Sequence, residues 1–278
     1  MHELQREIER LYAMGSDASK DPNASETFLR FRYALTAGTI RAAQKVDGLW
    51  TTNAWVKQGI LLGFRIGKLA ESGDPRVLSF VDKDTYPTRH FTATEQVRVI
   101  PGGSSVRSGA YVAPSVVCMP PMFINVGAYV DEGSMVDSHA LVGSCAQVGK
   151  RVHISAAAQV GGVLEPINAS PVIIEDDVLI GGNCGVYEGT QVGARAVLGA
   201  GTILTRSTPL FDTVTGEIYR ASATEPLRVP PGAVVVPGSR AITKGKAAEW
   251  GLSLYTPVIA KYRDERTDRG VELEDILR

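Results

Sequence analysis

The sequence predicts a mainly β fold, a parallel β-helix of hexapeptide repeats behind a small helical domain. Three observations carry this prediction. In VDEGSMVDSHALVGSCAQVG, valine returns every six residues, at Val130, Val136, Val142 and Val148. A helix repeats near 3.6 residues and a strand at 2, so neither explains that beat. A second small or aliphatic side chain follows four positions after each lead residue, as at Ser134, Ala140, Ala146 and Val152. The first hundred residues lack the beat and space their apolar residues as helices do.

The N-terminal elements come first. LQREIERLYAM puts Leu4, Ile8 and Leu11 on one helical face. ASETFLRFRYALTAGTIRAAQKV holds one or two more helices, with Ser25 as a cap. DGLW is a turn. TTNAWVKQGILLGFRI is an apolar segment, too short and too interrupted to cross a membrane. Residues 1–97 therefore read as a mainly helical N-terminal domain.

The repeat then runs unbroken through Val106, Val112, Cys118, Ile124 and on to Ile154 and Val160. It breaks across LEPINASPVI and resumes at Ile174, Ile180, Val186, Val192, Leu198 and Leu204. A longer break, STPLFDTVTGEIYRASATEPLR, precedes two last copies at Val229 and Val235. Each hexad supplies a short strand and a turn, with the lead aliphatic pointing inward. Glycine often stands just before the small residue, as at Gly109, Gly127, Gly133 and Gly201, where a tight turn takes a positive φ. Three hexads make one triangular coil of eighteen residues. Coils stack at roughly 4.8 Å, so the sixteen copies up to Leu204 build a prism about 25 Å tall. One hexad cannot bury its own apolar residue; stacking does that. Residues 98–240 read as the prism, with insertions near 163–172 and 207–228. SLYTPVIAKYR has strand character and VELEDILR ends the chain. A prism exposes its last coil, so residues 241–278 read as a capping segment.

Composition bounds the function. The chain has 278 residues and a formal net charge of −1. A near-neutral balance argues against a nucleic-acid scaffold. No apolar run reaches the length of a membrane span, and MHELQREIER does not read as a signal peptide. Cys118, Cys145 and Cys184 are odd in number and lack paired spacing, which suits free thiols in a reduced, cytoplasmic setting.

Eighteen-residue stacking turns sequence into neighbours. Asn125, Gly143 and Gly161 share one column, and Asp137 stacks on Ser155. Glycine columns let a ligand lie close to the backbone, and they also serve turn geometry. Asp131, Glu132 and Asp137 take outward positions, where solvation alone is the plainer account. Insertions in solenoids project from one face. The two breaks are therefore candidates for an arm over a neighbouring subunit, a pocket lid, or idle loops.

Beyond the hexads, several stretches resemble one family. They are INVGAYVDEGSMVDSHALVGSCAQVGKRVHIS and GGVLEPINASPVIIEDDVLIGG in the prism, and VRVIPGGSSVRSGA at its entry. KVDGLW and GILLGFRI lie in the N-terminal domain, VTGEIYR in the second insertion, and SLYTPVIAKY near the end. Together they are similar to the tetrahydrodipicolinate N-succinyltransferases of bacterial lysine and diaminopimelate biosynthesis. The likeness spans most of residues 40–278 and is weakest over the first forty. It implies a left-handed coil, a homotrimer with sites in clefts between neighbouring prisms, and succinyl transfer from succinyl-CoA to the substrate nitrogen. Succinyl-CoA is expected as co-substrate, with no metal or prosthetic group. The family's substrate-binding arginine matches Arg98 and its essential aspartate matches Asp137. Arg107, Asn125 and Ser144 join the candidates for the dicarboxylate. Ser155, Ala156, Gly161, Gly162 and Gly181 are candidates for the groove that takes the pantetheine arm. One departure matters: the family's second acid falls on Gly185 here, and Glu188 is the nearest acid.

The residue types suit the chemistry. A dicarboxylate wants a guanidinium fork, which Arg98 or Arg107 supplies. An attacking amine must be oriented and lose a proton, work for a carboxylate such as Asp137. Backbone N–H groups along the turns can stabilise the oxyanion of the thioester. Other hexapeptide acyltransferases use a histidine base, and His139, two residues past Asp137, is the rival here; acetyl-CoA is the rival donor. A β-helical zinc hydratase needs three imidazoles with two close in sequence, a pattern absent here. A non-catalytic β-helix is the remaining alternative. Cys145 reads as a small residue on a packed turn, Glu165 as an acid anchoring the first insertion, and Lys150 and Arg151 as cations within reach of CoA phosphates or simply solvated.

Overall fold

The computed structural model describes residues 2–264, apart from Pro75 and Val77; VELEDILR lies outside the described residues. Short parallel strands stack into three faces. The first face runs through Arg98–Val99, Val117–Cys118, Met135–Val136, His153–Ile154, Leu179–Ile180 and Val197–Leu198. The second runs from Ser105–Val106 through Leu141–Val142 and Gln159–Val160 to Ile203–Leu204, six strands in all. The third, also of six, runs from Tyr111–Val112 through Tyr129–Val130 and Gln147–Val148 to Arg228–Val229. Register follows the eighteen-residue stack: Val136 pairs with Ile154, Val142 with Val160 and Val130 with Val148. The first insertion lengthens the step between coils, and the register survives it, with Val148 on Ile174.

The lead residues are the core. Val136, Val142, Val148, Ile154, Val160 and Ile180 are completely buried. Each such side chain contributes about 1.5–3 kcal/mol by leaving water. The corner before each small residue is left-handed: φ is 76° at Gly127 and 68° at Gly133, but also 62° at His139, 68° at Cys145 and 58° at Ala157. The sequence marks this corner only where glycine occupies it. Ile154→Ala should lower stability by about 2–5 kcal/mol, because rigid coils above and below cannot collapse into the cavity. A urea midpoint unchanged from wild type would contradict this packing.

The N-terminal residues form α1 (His2–Ala13), α2 (Ala24–Thr36) and α3 (Ala54–Ile66). Leu4, Ile8 and Leu11 are buried, as their spacing predicts. Ser25 is not the cap: α2 starts at Ala24, and Asn23 holds the cap position. Two hairpins flank α3, Ala43–Val46 with Leu49–Thr52 around the DG turn, and Leu69–Asp74 with Leu78–Lys83. The domain lies on the third face. Arg41 stacks over Tyr129, 3.5 Å from the ring centre, and its Nε donates to Gln147 Oε1 at 2.9 Å. Trp50 Nε1 donates to Glu175 Oε1 at 2.9 Å. Lys57, on α3 and completely buried, donates to the Ala169 carbonyl of the first insertion at 2.6 Å.

At the far end, Ala233–Ala241 continues the first face beside Val197–Leu198 and turns back through Ser253–Tyr262 as a long antiparallel hairpin. Leu210–Asp212, from the second insertion, adds a strand against Ser253–Tyr262. No helix among the described residues is long and apolar enough to cross a membrane.

Candidate functional site

The N-terminal domain packs on the third face over Tyr129 and Gln147, leaving the first and second faces and their edges more open. The candidate residues fall on two of those edges. Asp137, Ser155, Ala156 and Gly181 follow lead residues of the first face, and so line the edge joining it to the second. Arg107, Asn125, Ser144, Gly161, Gly162 and Glu188 line the edge joining the second face to the third. Arg98 stands exposed on the first face, two coils before the Met135 row, about 10 Å along the axis.

Asp137 is fixed by its neighbours. Its backbone N–H donates to Ile154 O at 2.9 Å, locking it into the coil. Its Oδ1 accepts the Ser138 N–H at 2.7 Å. Its Oδ2 lies 3.5 Å from His153 Nε2, and the two side chains are 28% and 19% exposed. A carboxylate with one oxygen tied to backbone and the other at a partly open edge can accept a proton there. Eighteen-residue stacking puts Ser155, not His153, in the Asp137 column, so spacing alone does not pair His153 with Asp137. The outward side chain of the next strand nevertheless leans across to Asp137. His139 is an exposed left-handed corner whose N–H donates to the Pro121 carbonyl.

The glycines on these edges are places of close approach. A Cβ on Gly181 would sit 2.6 Å from the Leu198 carbonyl oxygen, and one on Gly143 only 2.1 Å from the Gly162 nitrogen. Gly143, Ser144, Gly161 and Gly162 thus form the junction from which the first insertion departs, with Val163 N–H donating to Ser144 O at 3.1 Å. Glu165 stands exposed in that insertion.

Arg107 is already engaged. It pairs with Asp82 of the second hairpin, donates to Asn125 Oδ1 at 3.3 Å, and lies 5.3 Å from the Phe64 ring centre. With Asp82, Ser105 and Phe123 it lines a cavity of about 600 Å³ between that hairpin and the prism. Glu188 is a left-handed corner whose Oε2 accepts the Arg206 N–H at 2.8 Å. The Tyr187 ring lies over Gly185, where a Cβ would meet Tyr187 Cε2 at 2.3 Å. Lys150 pairs with Glu132 and Arg151 with Asp177 on the remaining edge, at 2.6 and 2.7 Å.

All three cysteines are buried. Burial pushes the Cys118 and Cys145 thiols from 9.0 up to about 12. Protonated thiols are poor nucleophiles, in keeping with Cys145 as a packed-turn residue. The folded state holds these protons more tightly than the unfolded chain. The stabilisation is therefore intact below pH 9.0 and is lost as pH rises toward about 12. Each thiol contributes a slope of about 1.4 kcal/mol per pH unit in that window. Urea midpoints should fall there, and Cys118→Ala should flatten the fall; identical pH curves for the two proteins would contradict the shift.

Comparison with known proteins converges on one family. The family model described as "Tetrahydrodipicolinate N-succinyltransferase N-terminal" matches residues 3–66. The likeness is therefore substantial over the first forty residues too, where the motifs alone are faint. "Hexapeptide repeat of succinyl-transferase" matches residues 171–206. The 2,3,4,5-tetrahydropyridine-2,6-dicarboxylate N-succinyltransferase of Dechloromonas aromatica is 39% identical over 287 residues, covering 100% of this chain and 99% of that protein. The enzyme of the same name from Acinetobacter baylyi is 44% identical over 252 residues, covering 88% of this chain and 86% of that protein. That of Sodalis glossinidius is 40% identical over 285 residues, covering 100% of this chain and 99% of its own. With likeness of this degree running end to end, and a prism of hexapeptide coils to match, this chain belongs to the tetrahydrodipicolinate N-succinyltransferase family.

Proposed function

We propose that this protein transfers a succinyl group from succinyl-CoA to the amino nitrogen of tetrahydrodipicolinate, opened to its amino-oxo-pimelate form, in the succinylase branch of lysine and diaminopimelate biosynthesis. The observation that carries the reading is Asp137: a carboxylate fixed by the Ser138 N–H on an uncovered prism edge, in a chain related end to end to enzymes named for this reaction. The amine nitrogen attacks the thioester carbonyl and its proton passes to Asp137. The tetrahedral oxyanion then collapses, the C–S bond breaks, and the departing CoA sulfur takes the proton from Asp137, leaving as the thiol and restoring the carboxylate. No enzyme nucleophile is needed, because the thioester is already activated. Arg98 grips a substrate carboxylate. Ser155, Ala156, Gly161, Gly162 and Gly181 line the path of the pantetheine arm, with small residues admitting an extended chain.

The working particle in this reading is a homotrimer. Its support is the division of the candidate residues between two edges separated by the second face. A single prism cannot bring both edges to one ligand; the edge of a second copy can. Light scattering should give three times the 29.7 kDa chain, about 89 kDa, and a monomer that retains full activity would rule out the shared cleft. The reaction itself is tested by mass spectrometry of the product. A single succinyl amide on the acceptor nitrogen is expected; an acetyl amide formed with acetyl-CoA in preference would change the donor.

A further inference from the structure

We infer that His153 is the positioning residue of Asp137; the inference rests on the succinyl-transfer reading above and extends it. On the first face the outward strand positions between Arg98 and the last coil are Val117, Met135, His153, Leu179 and Val197. Four are apolar, and the histidine breaks the run next to Asp137. Burial of a polar ring among apolar neighbours is unfavourable unless its nitrogens find partners, and the Asp137 carboxylate stands within reach of one of them. Its side chain is 19% exposed, and its Nε2 lies 3.5 Å from Asp137 Oδ2. That is ion-pair distance, longer than a hydrogen bond, and such contacts tighten when substrate closes the site.

The two oxygens of Asp137 then have separate holders. Ser138 N–H fixes Oδ1, and His153 Nε2, 3.5 Å from Oδ2, comes within hydrogen-bond reach of it as the site closes. The pair keeps the carboxylate plane set for the incoming amine. Without the ring, Asp137 keeps one tether and its second oxygen swings.

The test compares His153→Leu, His153→Gln, Asp137→Asn and the double variant H153L/D137N, all as the assembled enzyme with succinyl-CoA and tetrahydrodipicolinate. Leucine continues the apolar run, so the fold is retained and melting stays at the wild-type temperature. H153L should lower kcat about 10- to 100-fold, with the KM for succinyl-CoA nearly unchanged. Glutamine places an N–H donor near the Nε2 position, so H153Q should recover most of the loss. In the D137N background H153L should cost nothing further, because the two act as a unit. H153L at wild-type kcat, H153Q as poor as H153L, or an equal loss in both backgrounds would overturn the inference. A wild-type enzyme inactive with these substrates would instead overturn the reading on which it rests.

Discussion

Asp137→Ala should lower kcat by about 10²–10⁴-fold while leaving the prism folded. Both halves of that expectation come from position. The residue follows the completely buried Val136, yet its own side chain lies on the edge, 28% exposed. The strand is held by main-chain bonds, Asp137 N–H to Ile154 O and Ala140 N–H to Asp137 O, which alanine keeps. What alanine removes is the carboxylate beside His153 and its tether to the Ser138 N–H. An amine acceptor then has no group to receive its proton as the C–N bond forms. The thioester remains reactive, so slow transfer persists and rises with pH as free amine accumulates. Succinyl-CoA binding, read by tryptophan fluorescence or calorimetry, should change little. A variant with normal turnover would remove Asp137 from the mechanism; one that fails to fold would move its importance to the prism.

Arg98→Leu should raise the KM for the dicarboxylate about 10- to 100-fold and leave the KM for succinyl-CoA near wild type. Charge-assisted hydrogen bonds from a guanidinium are among the stronger single contacts a small acid makes. Arg98 lies exposed on the first face, the face that carries His153 next to Asp137. A melting temperature near wild type in the variant would place the loss in binding rather than in folding. Lysine should recover only part of it, because a point charge lacks the planar fork that matches a carboxylate. A leucine variant with wild-type KM would transfer the carboxylate contact elsewhere. Arg107 is the next guanidinium, and Asp82 must first release it.

The prism was legible because a solenoid repeats its environment. Every lead residue meets the same neighbours, so the six-residue beat states the core almost directly, and column arithmetic gave the register of Asn125, Gly143 and Gly161. Contacts that do not follow the column were hidden. His153 reaches Asp137 diagonally, from the outward position of one coil to the edge of the coil before. The hairpin LAESGD with its partner strand has exposed residues and no alternation to announce it. The docking of Arg41 on Tyr129 and Gln147 joins residues 106 positions apart, which no periodicity encodes. Left-handed corners at Cys145 and Ala157 carry no glycine to mark them, since the stacked coils impose the conformation on whatever residue is there. At Gly185 the family resemblance implies a missing acid, and the structure lays the Tyr187 ring over that position.

The most direct test of succinyl transfer is thiol release from succinyl-CoA, with and without tetrahydrodipicolinate, beside acetyl-CoA as control. Release that requires succinyl-CoA and the cyclic dicarboxylate together, and that disappears in Asp137→Ala, is the predicted result. Release independent of the dicarboxylate, or none with either thioester, would contradict it.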